Sequence, residues 1–102
     1  MSKYHNVRTN GYASRKEAAR AADLELLERD GRIRLLSKQV RYTLLPATPE
    51  YPRPLRYYAD FTYWDNEKNC VVVEDVKGMK TQVYKLKKRM MRQLLNVTIT
   101  EV

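Results

Sequence analysis

Residues 55–64, Leu-Arg-Tyr-Tyr-Ala-Asp-Phe-Thr-Tyr-Trp, and residues 70–76, Cys-Val-Val-Val-Glu-Asp-Val, decide how this chain folds. Both are rich in the β-branched and aromatic side chains that suit a pleated sheet. The polar stretch Asp65-Asn66-Glu67-Lys68-Asn69 between them reads as a chain reversal. An antiparallel hairpin with Trp64 opposite Val71 follows, and that register carries Asp60 to a position opposite Asp75. Directly opposed residues hold their Cβ atoms about 4.5–5.5 Å apart. Two carboxylates that close repel each other unless a cation or a proton lies between them. A slip of one residue would send the two to opposite faces. Strand alternation then groups Asp60, Asp75 and Lys77 on one face, with Glu74 and Val76 on the other. Hard oxygen donors in this arrangement suit Mg2+ or Mn2+, and a neighbouring ammonium can orient an attacking water and steady developing charge. The same residues also allow an ordinary surface ion pair between Asp75 and Lys77, worth under ~1 kcal/mol. The run Val71-Val72-Val73 favours the site, because it marks a strand covered on both faces, where terminal charges need a reason.

Upstream of the hairpin, Ser14-Arg15-Lys16-Glu17 has the spacing of a capping box and opens a helix over about residues 15–30. Ala18, Ala19, Ala22, Leu26 and Leu27 are its apolar positions, and Gly31 is its stop. The cap by itself accounts for the position of Glu17. Ile33 to Leu36 and Val40 to Leu44 read as two strands, or as one strand with an irregularity near Ser37 and Lys38. Pro46, Pro49, Pro52 and Pro54 exclude a helix or central strand and mark a surface connection. Downstream, Gly78 breaks the second hairpin strand, Thr81 caps a helix over about 82–95, and Val97 to Val102 alternates as a last strand. Met1 to Asn10 is polar without periodicity and reads as a loosely held arm. It contains His5, the only histidine, to which no role attaches. The elements run α-β-β-β-β-α-β, or one strand fewer, in a single α+β domain of mixed α/β character over 1–102.

The charge narrows the function. Twenty Lys and Arg stand against twelve Asp and Glu in 102 residues, a formal net charge of +8. Such an excess favours a polyanion, either nucleic acid or an anionic membrane. No apolar run approaches the ~18 residues of a spanning helix, and no signal-type segment opens the chain. Cys70 stands alone, which excludes a disulfide framework and a cysteine-based zinc site within one chain and makes an intracellular location the expectation. No P-loop is present, so no nucleotide cofactor is expected. On the helix 82–95, Lys85, Lys88, Arg89 and Arg92 form one cationic stripe, with Lys80 just ahead of it. Val83, Leu86, Met90 and Leu94 form the stripe expected to pack on the sheet. Residues 76 to 100 hold seven Lys and Arg and no acid. That favours a phosphate-binding surface over a merely solvated one. A membrane-surface helix fits less well, since the apolar stripe is needed for the core. Tyr57, Tyr58, Phe61, Tyr63 and Trp64 could stack on bases, although core packing and cross-strand pairing explain most of them.

Asp60, a fourteen-residue gap, then Asp75-Val76-Lys77 resembles the signature of the PD-(D/E)XK nuclease superfamily, with Glu17 as its additional acid. More closely, Ser14-Arg15-Lys16-Glu17-Ala18, Gln39, Tyr58-Ala59-Asp60-Phe61, Val73-Glu74-Asp75-Val76-Lys77-Gly78 and Tyr84-Lys85-Leu86-Lys87-Lys88 are similar to a phage-associated family of small proteins grouped with Holliday-junction-resolvase-like endonucleases. The likeness runs from about Lys3 to Val102. It implies a restriction-endonuclease-like core, α-β-β-β-α-β, with a central mixed sheet flanked by helices. It also implies divalent-metal hydrolysis of phosphodiester bonds in branched or structured DNA. On that likeness Asp60 and Asp75 would be metal ligands, with the Val76 carbonyl as a further one. Lys77 would position or help deprotonate the water, and Glu17 would meet the metal directly or through water. Ala59 stands where the motif has proline, and Glu74, three before Lys77, lacks the E-x-K spacing. Lys80, Lys85, Lys88, Arg89 and Arg92 would hold DNA phosphates. The family and the small size suggest a homodimer, working in the cytoplasm, that of the host cell if phage-encoded. The alternative is a non-catalytic nucleic-acid-binding protein that retains the nuclease fold.

Overall fold

The computed structural model describes residues 11–102; the arm Met1–Asn10 and His5 lie outside the described residues. Helix α1 (Arg15–Arg29) is followed by strands β1 (Ile33–Leu45), β2 (Leu55–Asp65) and β3 (Cys70–Asp75), helix α2 (Gln82–Leu95) and strand β4 (Ile99–Glu101). This is the order α-β-β-β-α-β. The strands form one mixed sheet, β1-β2-β3-β4, antiparallel throughout except for the parallel pair β3 and β4. A parallel pair needs a crossover, and α2 supplies it.

Ser14 caps α1 by accepting from the backbone N–H of Glu17 at 3.0 Å. Gly31, with φ of 74°, closes the helix: its N–H donates to Glu28 O and that of Arg32 to Leu27 O. Thr81 caps α2 through the N–H of Tyr84, and Asn96, left-handed at φ 57°, ends it. The irregularity expected near Ser37 is a register shift between Arg34 and Ser37 inside one continuous β1, where Leu35 has a φ of 59°. At the hairpin, Trp64 pairs with Val71 and the ladder continues to Phe61 opposite Glu74. Asp65 caps the reversal, its Oδ1 accepting from the N–H groups of Glu67 and Lys68.

Two apolar clusters lie on opposite sides of β3. Val73 joins Leu44, Tyr57, Ala59, Tyr84, Met91 and Ile99 beneath α2. Val72 and Val76 flank the other, made of Ala21, Leu24, Ile33, Phe61 and Tyr63 beneath α1. In β2 the alternate residues Tyr57, Ala59, Phe61 and Tyr63 are buried, yet Tyr57 and Ala59 belong to the α2 side and Phe61 and Tyr63 to the α1 side. The strand therefore turns over between Ala59 and Phe61, and Asp60 is the residue at that point.

Three expectations change. The inward face of α1 is Glu17, Ala21 and Leu24, while Ala19, Ala22 and Leu26 face solvent. Its polar members Glu17 and Arg20 have partners on the sheet, so hydrophobicity alone points to the wrong side. On α2 the residues on the sheet are Tyr84 and Met91, with Met90 partly buried; Val83, Leu86 and Leu94 are exposed. Hydrogen bonds and ion pairs from Tyr84 and Lys88 to β4 set that rotation. Finally, Val71 is exposed, and full burial begins only at Val73, where β4 starts to pair with β3.

Candidate functional site

The hairpin register places Asp60 and Asp75 side by side where β2 turns over. Asp60 Oδ2 accepts the backbone N–H of Val76 at 2.8 Å, a bond across the strand ends that fixes one carboxylate against the other's strand. Asp75 is 1% exposed. Its Oδ2 accepts from the Tyr57 hydroxyl and stands 3.4 Å from Lys77 Nζ. Burial and, after it, the adjoining Asp60 carboxyl push Asp75 up to about 7. Tyr57 and Lys77 pull the other way without overcoming them. The Lys77 ammonium also lies 4.4 Å from the centre of the Tyr84 ring, a cation–π contact that aims it along the sheet face.

Glu17 is buried, 8% exposed, with its carboxylate turned toward the sheet. Its Oε2 accepts from Gln39 Nε2 at 3.4 Å, and the same nitrogen donates to Asp60 Oδ1 at 3.1 Å. The helix cap and the site thus use different parts of Glu17, its backbone N–H for Ser14 and its carboxylate for Gln39. Lys16 Nζ reaches the carbonyl of Lys77 at 3.2 Å, which ties the start of α1 to the end of the site.

Glu74, next in sequence to Asp75, points to the other face as the alternation requires. It is 1% exposed and takes a two-pronged pair of bonds from Arg20, at 2.8 Å to Oε1 and 2.6 Å to Oε2, plus the Tyr63 hydroxyl. Those bonds raise the Arg20 guanidinium further above its ordinary value. Three hydrogen bonds on its two oxygens make Glu74 a structural anchor between α1 and β3.

The predicted phosphate-binding residues do come together. Lys80, Lys85, Lys88, Arg89 and Arg92 line one groove of about 630 Å³ beside β4, with Gln93, Thr98, Ile99 and Glu101. Lys80 and Lys88 are paired with Glu101 at 2.8 and 3.0 Å. Bonds from Lys80, the Tyr84 hydroxyl and Lys88 hold the Glu101 carboxyl down at about 2. Arg89 donates to Gln93 at 3.3 Å and Arg92 reaches Asn96. The groove lies next to the carboxylate site: Glu101, which lines it, pairs with Asp75 across the parallel ladder, and Tyr84 touches both Glu101 and Lys77.

The chemistry of the donors fits a divalent cation at Asp60 and Asp75. Two adjoining carboxyl groups, one of them buried and driven toward its neutral form despite the Lys77 ammonium at 3.4 Å, are left short of positive charge. Among the described residues no three acidic, histidine or cysteine side chains converge on one point, and Glu17 joins the pair through Gln39. No helix among the described residues is long and apolar enough to cross a membrane.

Residues 1–101 match the family model described as "Protein of unknown function (DUF1064)". The chain belongs to the DUF1064 family. No curated protein and no solved structure matches it.

In this DUF1064 chain the sequence reading missed several residues around the site. Tyr57 and Tyr84 look like core aromatics, and they are largely buried, yet each presents its hydroxyl to a carboxylate. Glu101 appears only as one acid in a polar strand until β4 is paired with β3. Of the other hairpin aromatics, Phe61 and Tyr63 are core, Tyr58 is exposed, and Trp64 is half-buried beneath Arg34, 5.6 Å from its ring centre.

Proposed function

We propose that this protein is a divalent-metal-dependent DNA endonuclease of the PD-(D/E)XK type, hydrolysing phosphodiester bonds in branched or structured DNA. The observation that carries the reading is the adjoining pair Asp60 and Asp75, with Asp75 buried and pushed up to about 7 and the Lys77 ammonium 3.4 Å from it. A buried charge cluster of this kind, beside a basic groove, is costly for the fold and useful for chemistry. Asp60 and Asp75 would hold Mg2+ or Mn2+, with Glu17 and the Val76 carbonyl as further oxygen donors. When bound, the ion supplies a Lewis acid for the phosphate oxygen.

The chain's own residues do the rest. The Tyr57 hydroxyl favours the ionised form of Asp75 and aims it. Lys77, steered by the Tyr84 ring, positions the attacking water and steadies charge on the phosphate. Lys85, Arg89 and Arg92, with Lys80 and Lys88, take backbone phosphates in the groove. A two-fold dimer would set two such sites on two strands, and the exposed side chains of Val83, Leu86 and Leu94 on α2 offer it an apolar surface. The reading needs no nucleotide cofactor and no membrane, and it places the protein in the cytoplasm with its DNA.

The test is incubation with a four-way junction and with linear duplex, in Mg2+ or in EDTA. We expect the junction to be cut in Mg2+ and left intact in EDTA. Asp75→Asn and Lys77→Met should abolish cutting while junction binding remains. Binding without cleavage in both Mg2+ and Mn2+ overturns the reading in favour of a non-catalytic nucleic-acid-binding protein.

A further inference from the structure

We propose that Gln39 is a positioning residue of the carboxylate site, tying the Glu17 carboxylate to the metal-binding Asp60 through one amide nitrogen. The inference rests on the metal-site reading above. Glu17 lies on α1 and Asp60 on β2, so no helix or sheet hydrogen bond fixes the distance between them. The Gln39 amide does. Its Nε2 donates at 3.1 Å to Asp60 Oδ1 and at 3.4 Å to Glu17 Oε2. The other Asp60 oxygen is already taken by the Val76 N–H at 2.8 Å. Asp60 is therefore held at both oxygens, and Gln39 supplies the contact that orients it toward Glu17.

The backbone at this position points the same way. Gln39 sits between Lys38 and Val40, whose partners Phe61 and Ala59 flank Asp60 where β2 turns over. Its φ is 51°, a left-handed conformation that glycine and asparagine enter more easily than glutamine. A long amide kept in that conformation on the edge strand has a use that glycine lacks. Partners that orient metal-binding carboxylates change metal affinity by about 10–100-fold when removed.

The experiment titrates Mn2+ by calorimetry into the full chain without DNA, for wild type, Gln39→Gly and Gln39→Asn. Both substitutions suit the left-handed backbone; the first removes the amide and the second shortens it by one methylene. Each variant is titrated at a temperature where circular dichroism shows it folded. The expected result is a melting temperature at or above that of the wild type, with Mn2+ binding weakened about tenfold or more. Mn2+ affinity within twofold of wild type in both variants overturns the role of Gln39 and leaves the metal site standing. A wild-type chain that takes up no Mn2+ overturns the metal reading and this role with it.

Discussion

Glu74 and Asp75 are neighbours in β3 and equally buried, each 1% exposed, yet the molecule treats them in opposite ways. Glu74 faces α1 and receives a guanidinium on both oxygens and a phenol besides. Asp75 faces α2, meets a second carboxyl, and has its nearest ammonium at 3.4 Å, shared with an aromatic ring. One charge is fully answered and serves the fold. The other is left short of positive charge and is pushed up to about 7. Burial alone therefore does not mark a candidate functional acid; burial without enough compensation, beside another acid, does.

The largest effect is expected at Arg20. Arg20→Ala leaves Glu74 buried and unpaired and should lower stability by about 3–5 kcal/mol in urea unfolding. The double substitution Arg20→Met with Glu74→Leu should recover most of that loss, because no uncompensated charge then remains. Asp75→Asn should do the reverse. Because folding raises the Asp75 carboxyl from the ordinary aspartate range to about 7, the stability it contributes is present in acid and lost as pH climbs from about 4 to about 7. In EDTA the wild type should therefore melt lower at pH 8 than at pH 5, and Asp75→Asn should flatten that slope and gain a few kcal/mol at pH 8.

The tyrosines on these two acids give smaller effects. Tyr63→Phe removes a donor from the ionised, buried Glu74 and should cost about 2 kcal/mol of stability. Tyr57→Phe should cost less near pH 6, where Asp75 is largely protonated. It should instead move the Asp75 titration still higher, since the Tyr57 bond favours the ionised form. Carboxyl 13C shifts followed against pH would report that displacement, and an unchanged or lowered Asp75 titration would contradict it.

The central hairpin was legible because its signals are local. Aromatic and β-branched runs, a polar reversal and strict alternation are enough to pair Trp64 with Val71 and so to bring Asp60 beside Asp75. The cationic residues of α2 were legible for the same reason, since helical spacing gathers Lys85, Lys88, Arg89 and Arg92, and all four line one groove. The helix faces were not. Glu17 and Arg20 turn inward toward partners 22 and 54 residues away, and no periodicity in α1 announces a buried acid and a half-buried base. Likewise Val83, Leu86 and Leu94 form a proper apolar stripe that the fold leaves in solvent, because Tyr84 and Lys88 are bound to Glu101 on β4.

Local signals were enough for the hairpin register, the acids that meet in it and the order of elements, apart from whether residues 33–45 make one strand or two. Those follow from backbone hydrogen bonding and side-chain period, which act over a few residues. Tertiary packing settled which side of each helix lies on the sheet and where β2 turns over. It also decided that Gln39, Tyr57, Tyr84 and Glu101 surround the acidic pair. These depend on contacts between elements distant in sequence, and helix rotation and strand twist settle them only when the charges of both partners are buried together.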